Sequence, residues 1–101
     1  MLSSEKVCTD EIRRKIPLYI RNILWYTLEM CGNVINGTHY FELSVSSGES
    51  GEFVQKLVHT RDIPLYQNKY QYADKTPVNA SIVINVDVSG VQTMMFADEE
   101  E

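Results

Sequence analysis

Apolar and polar side chains alternate most regularly over residues 80–88. From position 82 onward, every second residue is a branched aliphatic one: Ile82, Ile84, Val86 and Val88. This period of two is typical of a strand with one buried and one largely wet face. Ser89 and Gly90 then predict a tight turn, because glycine accepts the positive φ of such turns, and residues 91–96 return as the partner strand.

Shorter strand candidates precede this hairpin. Their positions are residues 6–9, 40–45, 53–60 and 69–73. The Ser/Gly-rich residues 46–52 predict a long loop that joins two of these strands into a hairpin. Tyr70 and Tyr72 share one face of the last of the four, which we expect to be short and to lie at an edge of the sheet.

One helix is predicted after Pro17, where the first turn tolerates proline. Apolar residues recur at three- and four-residue spacing along one side, at Ile20, Leu24, Leu28 and Cys31. Gly32 and Asn33 supply a stop signal. Trp25 adjoins the apolar side and is expected in the core, whereas the charged residues 10–15 form a stretch that leads into the helix.

These elements predict an α+β fold, with one main helix packed on a five- or six-stranded, mostly antiparallel sheet. A helix and a sheet must each cover the apolar face of the other, and short local connections favour an antiparallel meander. A chain of 101 residues is about one domain. We assign residues 1–97 to that domain and residues 98–101 to an acidic tail.

The formal net charge of −5 is concentrated at the end of the chain. The tail Asp98, Glu99, Glu100 and Glu101 contributes most of it. Without a basic excess, direct contact with nucleic-acid phosphates is not expected of the domain as a whole, whereas a basic protein partner is accommodated. The polar N-terminus and the short apolar runs predict a cytoplasmic protein with no membrane association, in which Cys8 and Cys31 stay reduced.

The order of features resembles a family of small bacterial, phage and plasmid proteins, Domain of Unknown Function family 960. Four segments carry the resemblance: Ile16-Pro17 with Trp25, Tyr40-Phe41-Glu42-Leu43, residues 58–66 (VHTRDIPLY) and residues 92–100 (QTMMFADEE). The sequence departs from the family pattern at residues 9–11 and in the longer loop at 46–52. The resemblance implies a small α+β fold and a mobile-element setting.

Catalytic and metal chemistry have few candidates. His59 and Asp62 are three residues apart, and a histidine with a carboxylate is what general base chemistry in a small hydrolase requires. Zinc ligands would have to come from Cys8, Cys31, His39 and His59, which lack the close spacing of zinc motifs. We therefore expect no catalytic residues, no metal and no cofactor.

Binding candidates are found on the helix, before it and in the tail. Tyr19 and Tyr26 share the polar side of the helix, and tyrosine is enriched at protein interfaces. Arg13 and Arg14, with Lys15 and Arg21, form a basic cluster that either contacts phosphate or is a solvated face neutralised by nearby acids. The tail is either a solubilising end or an imitation of a run of phosphates.

The sequence thus favours a non-catalytic interaction protein of a mobile element, acting on a host or element-encoded protein. The most specific version of this hypothesis is an inhibitor of nucleic-acid-directed defence. Such an inhibitor, of the anti-CRISPR type, would block a Cas9-like nuclease, whose guide channel is basic. Two alternatives stay open: a nucleic-acid-binding regulator that uses Arg13, Arg14 and Lys15, and a small hydrolase or metal enzyme that uses His59 and Asp62. Monomer and homodimer are not distinguished.

Overall fold

The computed structural model describes residues 5–30, 37–61 and 66–99. Its elements, in chain order, are β1 (Lys6–Cys8), α1 (Asp10–Lys15), α2 (Leu18–Met30), β2 (Gly37–Ser47), β3 (Phe53–Arg61), β4 (Tyr66–Ala73), β5 (Ala80–Val86), β6 (Gln92–Phe96) and a 3-10 turn at Ala97–Glu99. The α+β class, the main helix and the strand candidates are confirmed, although β2 and β4 begin earlier than predicted.

Helix α1 was not predicted, because its charged residues hide a short amphipathic pattern. Thr9 caps it, with Oγ1 accepting from the Ile12 amide at 3.4 Å. Acidic residues occupy its first turn and basic residues its last, which suits the helix dipole. Its one buried residue, Ile12, is 0% exposed and enters the core.

Helix α2 packs against the sheet through the predicted side. Its buried residues are Ile20, Leu24, Thr27 and Leu28. Trp25 is half-buried and packs against the core rather than within it. The predicted stop at Gly32 and Asn33 and the thiol of Cys31 lie outside the described residues.

The six strands form one mixed sheet in the order β1-β6-β5-β2-β3-β4. Strand β1 is parallel to β6, and the other four pairs are antiparallel. A simple meander is therefore wrong: β2 pairs with both β3 and β5, so the chain crosses two strands between β4 and β5. Strand β4 is terminal in this order, as predicted.

Two residues of the most regular segment differ from their predicted environment. Val83 lies on the face away from the helices yet is 1% exposed. Its direct cross-strand neighbours, Tyr40 and Met95, account for this burial. Val88 was expected on the buried side, but β5 ends at Val86, and Val88 is 88% exposed in the turn.

That turn is built around Asp87 and Gly90. Gly90 has φ of 93° and donates its amide to the Asp87 carbonyl at 3.0 Å. The Asp87 carboxylate accepts from the amides of Ser89 and Val91. The Ser89 hydroxyl also donates to this carboxylate at 2.7 Å, and chiefly this bond, with the amide bonds, holds the pKa of the carboxyl below its usual value. No helix in the described part of the chain is both long and apolar enough to cross a membrane.

Candidate protein-binding surface

The basic cluster is largely compensated within α1. Arg13 Nη2 lies 2.7 Å from Asp10 Oδ1, and Lys15 Nζ lies 3.0 Å from Glu11 Oε2. Arg14 also pairs with Glu11. Exposed pairs of this kind contribute little to stability, but they offset the positive charge that a phosphate would meet. The arrangement is that of a solvated, neutralised helix face.

Two further contacts of the basic cluster, made by Arg21 and Lys15, are also within the protein. Arg21 Nε donates to the Ile16 carbonyl at 3.0 Å and so links the two helices. Lys15 Nζ lies 5.9 Å from the centroid of the Phe96 ring, within the range of a cation–π contact. The nucleic-acid alternative therefore gains no support from the cluster.

Tyr19 anchors the fold as well as being exposed. Its hydroxyl lies 2.9 Å from both carboxylate oxygens of Asp74 and 3.0 Å from Thr76 Oγ1. These bonds tie the start of α2 to the segment that follows β4. Tyr26 differs, because it is 63% exposed and no hydrogen bond of its hydroxyl occurs among the described residues. Of the two predicted tyrosines, Tyr26 is the one available to a partner.

The acidic tail is attached to the body through Glu99. Its Oε2 accepts from Thr9 Oγ1 at 3.0 Å and from the Phe96 amide at 2.8 Å. Asp98 is exposed. Glu100 and Glu101 lie outside the described residues. Of the two tail carboxylates that the structure describes, the one of Glu99 is thus engaged in contacts within the protein.

His39 and His59, which the sequence brings together only as possible zinc ligands, meet in the core. Both are 0% exposed, and His39 Nδ1 lies 3.2 Å from His59 Nε2. Burial lowers the pKa of His59 to about 4, with further contributions from His39 and Arg61. A base beneath a helix layer is out of reach of a substrate, which weighs against the hydrolase alternative.

The proposed zinc ligands do not all converge. Cys8 lies on β1, three strands from β2 and roughly 14 Å from the histidine pair at about 4.8 Å per strand. Cys31 and Asp62 lie outside the described residues. Within the described ranges, no group of three or more His, Cys, Asp and Glu side chains is placed to hold a metal ion.

An apolar depression that the sequence analysis did not identify lies between α2 and β4. Ile23, Tyr26 and Met30 line it from the helix, and Leu57, Tyr70 and Tyr72 line it from the sheet. We call it the α2–β4 groove. Its volume is ≈ 270 Å³, below the ~300–1,000 Å³ typical of small-molecule sites. Its size and apolar lining suit inserted side chains of a protein.

Two lining residues are unusually exposed for their type. Tyr26 is 63% exposed and Met30 is 58% exposed. They are four residues apart in the helix and therefore neighbours on one flank of α2. Phe53, 53% exposed, extends the apolar surface toward a larger, open depression of ≈ 590 Å³ beside Asp74. Aromatic and methionine side chains are enriched at protein interfaces.

Tyr72, which lines the groove, carries a buried hydroxyl. Tyr72 Oη is inaccessible to solvent and has no hydrogen-bond partner among the described residues. Burial, with the Asp74 carboxylate and Tyr19 nearby, raises the pKa of Tyr72 to about 12. The hydroxyl therefore stays protonated and can donate a hydrogen bond. A buried polar group without a partner costs about 1–3 kcal/mol.

The groove adjoins an open strand edge. No described residue pairs with β4 on the side away from β3. The amide of Asp74 donates to the Phe53 carbonyl, so even-numbered residues of β4 direct their backbone groups toward β3. Because these directions alternate along a strand, Gln67, Lys69, Gln71 and Ala73 present their N–H and C=O groups outward. Lys69 is the single charged side chain in β4.

These features define a class of protein: an α+β domain with an apolar groove beside an accessible edge strand. Comparisons of the chain with protein-family models, with curated proteins and with solved structures found no match. The resemblance to Domain of Unknown Function family 960 stays a prediction.

Some of this surface could be found from sequence. The alternation of Tyr70 and Tyr72 predicted an edge strand, and Tyr26 was selected as a partner contact. Met30 was missed, although it follows Tyr26 by four residues. The signal for the groove would have been this helix pair considered together with the tyrosines of β4.

Proposed function

We propose that this protein is a non-catalytic, cytoplasmic protein-binding module. It takes an extended segment of protein along the edge of β4, and an apolar side chain of that segment enters the α2–β4 groove. The observation that carries the proposal is the position of the groove directly beside outward-facing backbone groups. Strand addition uses this combination: backbone hydrogen bonds give affinity, and a pocket for alternate side chains gives specificity.

The exposed apolar side chains of the groove support the same proposal. A bound segment would cover Tyr26 and Met30, which now expose apolar surface to water. Binding would therefore remove an unfavourable feature of the free protein.

A narrower proposal follows from the acidic balance and the family resemblance: the module belongs to a mobile element and inhibits a nucleic-acid-directed nuclease of the Cas9 type. The net charge of −5 complements a basic channel. DNA cleavage measured with increasing amounts of the protein tests this form. Full cleavage at saturating protein would eliminate the inhibitor proposal and leave the binding module intact.

The binding surface itself is tested by site-specific photo-crosslinking. A photoreactive residue at position 26 or 30 lies in the groove, whereas one at position 88 is 88% exposed in the turn after β5. We expect groove positions to capture one defined protein and position 88 to capture none. Met30→Asp should abolish capture from position 26, and Val88→Asp should preserve it.

Equal capture from positions 26 and 88, or capture that survives Met30→Asp, would refute the assignment of the surface. Both substitutions replace an exposed side chain, so neither should impair folding. Thermal unfolding of each variant provides the check. A difference in capture between two equally stable variants reports on the groove alone.

A further inference from the structure

We propose that the segment that binds β4 is β4 of a second copy, so that two molecules join their sheets antiparallel across a two-fold axis through Gln71. This inference rests on the proposed function, since it names the occupant of the same surface.

The backbone of β4 is suited to pairing with itself. A two-fold axis at the edge, perpendicular to the sheet, keeps both helix layers on one side and places like-facing residues opposite each other. With the axis at Gln71, the outward groups of Lys69, Gln71 and Ala73 meet the same three residues of the second copy. These three residues form their hydrogen bonds across the edge without altering the pairing of β4 with β3.

Charge and the number of paired residues together select the register. With the axis at Lys69, two ammonium groups lie directly opposite, which is destabilising. With the axis at Tyr70, the lysines are diagonal neighbours, roughly 7–8 Å apart between Cα atoms. With the axis at Gln71, each Lys69 lies opposite Ala73 of the second copy and the lysines are about 14 Å apart. Registers with the axis at Gln67 or Tyr72 also separate the lysines but pair only three residues of β4, whereas the axis at Gln71 pairs five, residues 69–73.

The same register pairs the aromatic residues. Tyr70 lies opposite Tyr72 of the second copy, and this contact occurs twice because of the symmetry. These are positions without direct hydrogen bonds between the strands, where Cα atoms approach to about 4.5 Å and side chains interact most closely. Aromatic pairs in such directly opposed positions stabilise the pairing of antiparallel strands. Both pairs lie on the face that carries the groove.

The contact is large enough for a dimer. Pairing of residues 68–74 spans roughly 24 Å at 3.4 Å per residue. A helix layer and a sheet layer together are about 20 Å thick, so each copy buries roughly 500 Å². The total of about 1,000 Å² meets the lower limit for a specific interface. It also covers Tyr26 and Met30, which project from α2 above β4.

Disulfide trapping tests the register. Gln71→Cys places two thiols on the axis at a Cα separation of about 5.5 Å, which a disulfide can bridge. Lys69→Cys is the matched control, because its thiols are then about 14 Å apart. In a background where Cys8 and Cys31 are replaced by serine, mild oxidation should link Gln71→Cys into a dimer and leave Lys69→Cys monomeric. The opposite pattern, or no link in either, overturns the proposal.

Sedimentation of the unmodified chain, from low micromolar to millimolar concentration, should show a reversible dimer. Gln71→Pro removes an outward N–H and leaves the β3–β4 hydrogen bonds intact. It should weaken dimerisation roughly tenfold or more. Gln67→Pro, an outward position beyond the paired residues, is the control. If the unmodified chain sediments as a monomer at every concentration, the dimer proposal is wrong. If groove-dependent capture of another protein persists in that case, the proposed function stands by itself.

Discussion

The imidazole of His59 lies flat against the ring of Phe41, with centroids 4.4 Å apart and planes inclined by 13°. The two residues are direct cross-strand partners on β3 and β2. Both are at most 1% exposed, so the stack excludes water from one face of a titratable ring. Burial of this kind disfavours the charged imidazolium, and this makes the core sensitive to acid.

We predict that stability falls as the pH drops from about 6.5 to about 4. Burial lowers the pKa of His59 in the folded state to about 4 from 6.5, so the unfolded chain binds more protons in this window. The stabilisation that comes from keeping His59 neutral is complete above pH 6.5 and is lost on acidification, at a cost on the order of 3 kcal/mol. Urea unfolding at several pH values measures it.

The control for this titration is His59→Gln, which removes the ionisable ring and retains a polar side chain. Its free energy of unfolding should vary less with pH over the same interval, although the protein is less stable overall. The pKa values of the Asp10 and Asp87 carboxyls are lowered, so these groups titrate below this window. An unchanged pH slope in His59→Gln would contradict the assignment to His59.

A second prediction concerns the hydroxyl of Tyr72. Tyr72→Phe removes a buried donor that no described residue accepts from, so the free protein should become more stable by about 1 kcal/mol. Tyr70→Phe is the matched control: it removes a hydroxyl that accepts from Asn68 Nδ2 at 2.9 Å and should bring no gain. Thermal unfolding of both variants measures these changes in stability. If Tyr72→Phe is less stable than the unmodified protein, the hydroxyl of Tyr72 has a hydrogen-bond partner.

The regular elements could be predicted from local pattern, and the contacts between them could not. Alternation identified β5 and its partner, and the apolar spacing identified α2. Helix α1 was missed because Arg13, Arg14 and Lys15 obscured the turn between Ile12 and Ile16. The burial of Val83 depends on which strands flank β5, and sequence spacing does not specify strand order.

The candidate surface shows the same limit. Tyr26 and the tyrosines of β4 were visible as separate features, but their convergence depends on how α2 lies across the sheet. The meeting of His39 with His59 depends on the register between β2 and β3. The internal role of Glu99 depends on the return of β6 beside β1, which brings Thr9 close to the end of the chain.

Thr9 provides a third prediction, since it serves two elements. It caps α1 and donates to Glu99 at 3.0 Å. Thr9→Ala should therefore cost about 1 kcal/mol or more of unfolding free energy, whereas Thr9→Ser should cost little. A double-mutant cycle with Glu99→Ala should give a favourable coupling energy. Additive effects of the two substitutions would show that the contact contributes nothing to stability.

A fourth prediction concerns Gln55, a buried polar residue that is 0% exposed on β3. Its Nε2 donates to the carbonyls of Ser44 and Val78, both at 2.9 Å, and its Oε1 accepts from the Val78 amide at 2.7 Å. The amide thus fixes the connection between β4 and β5 against the sheet. Gln55→Leu keeps the volume but leaves these backbone groups without their partner, and each lost partner costs about 1–3 kcal/mol.

We expect Gln55→Leu to reduce the unfolding free energy by about 3 kcal/mol or more, measured by urea denaturation. Lys56→Leu, the next residue along β3, is the control, because its side chain is exposed on the opposite face and should change stability by less than about 0.5 kcal/mol. Hydrogen exchange at the Val78 amide separates this mechanism from a general loss of packing. Faster exchange there in Gln55→Leu, under conditions where the Leu57 amide stays protected, means that the connection opens locally once its anchor is removed. Uniform acceleration across β3 would instead assign the loss to the core.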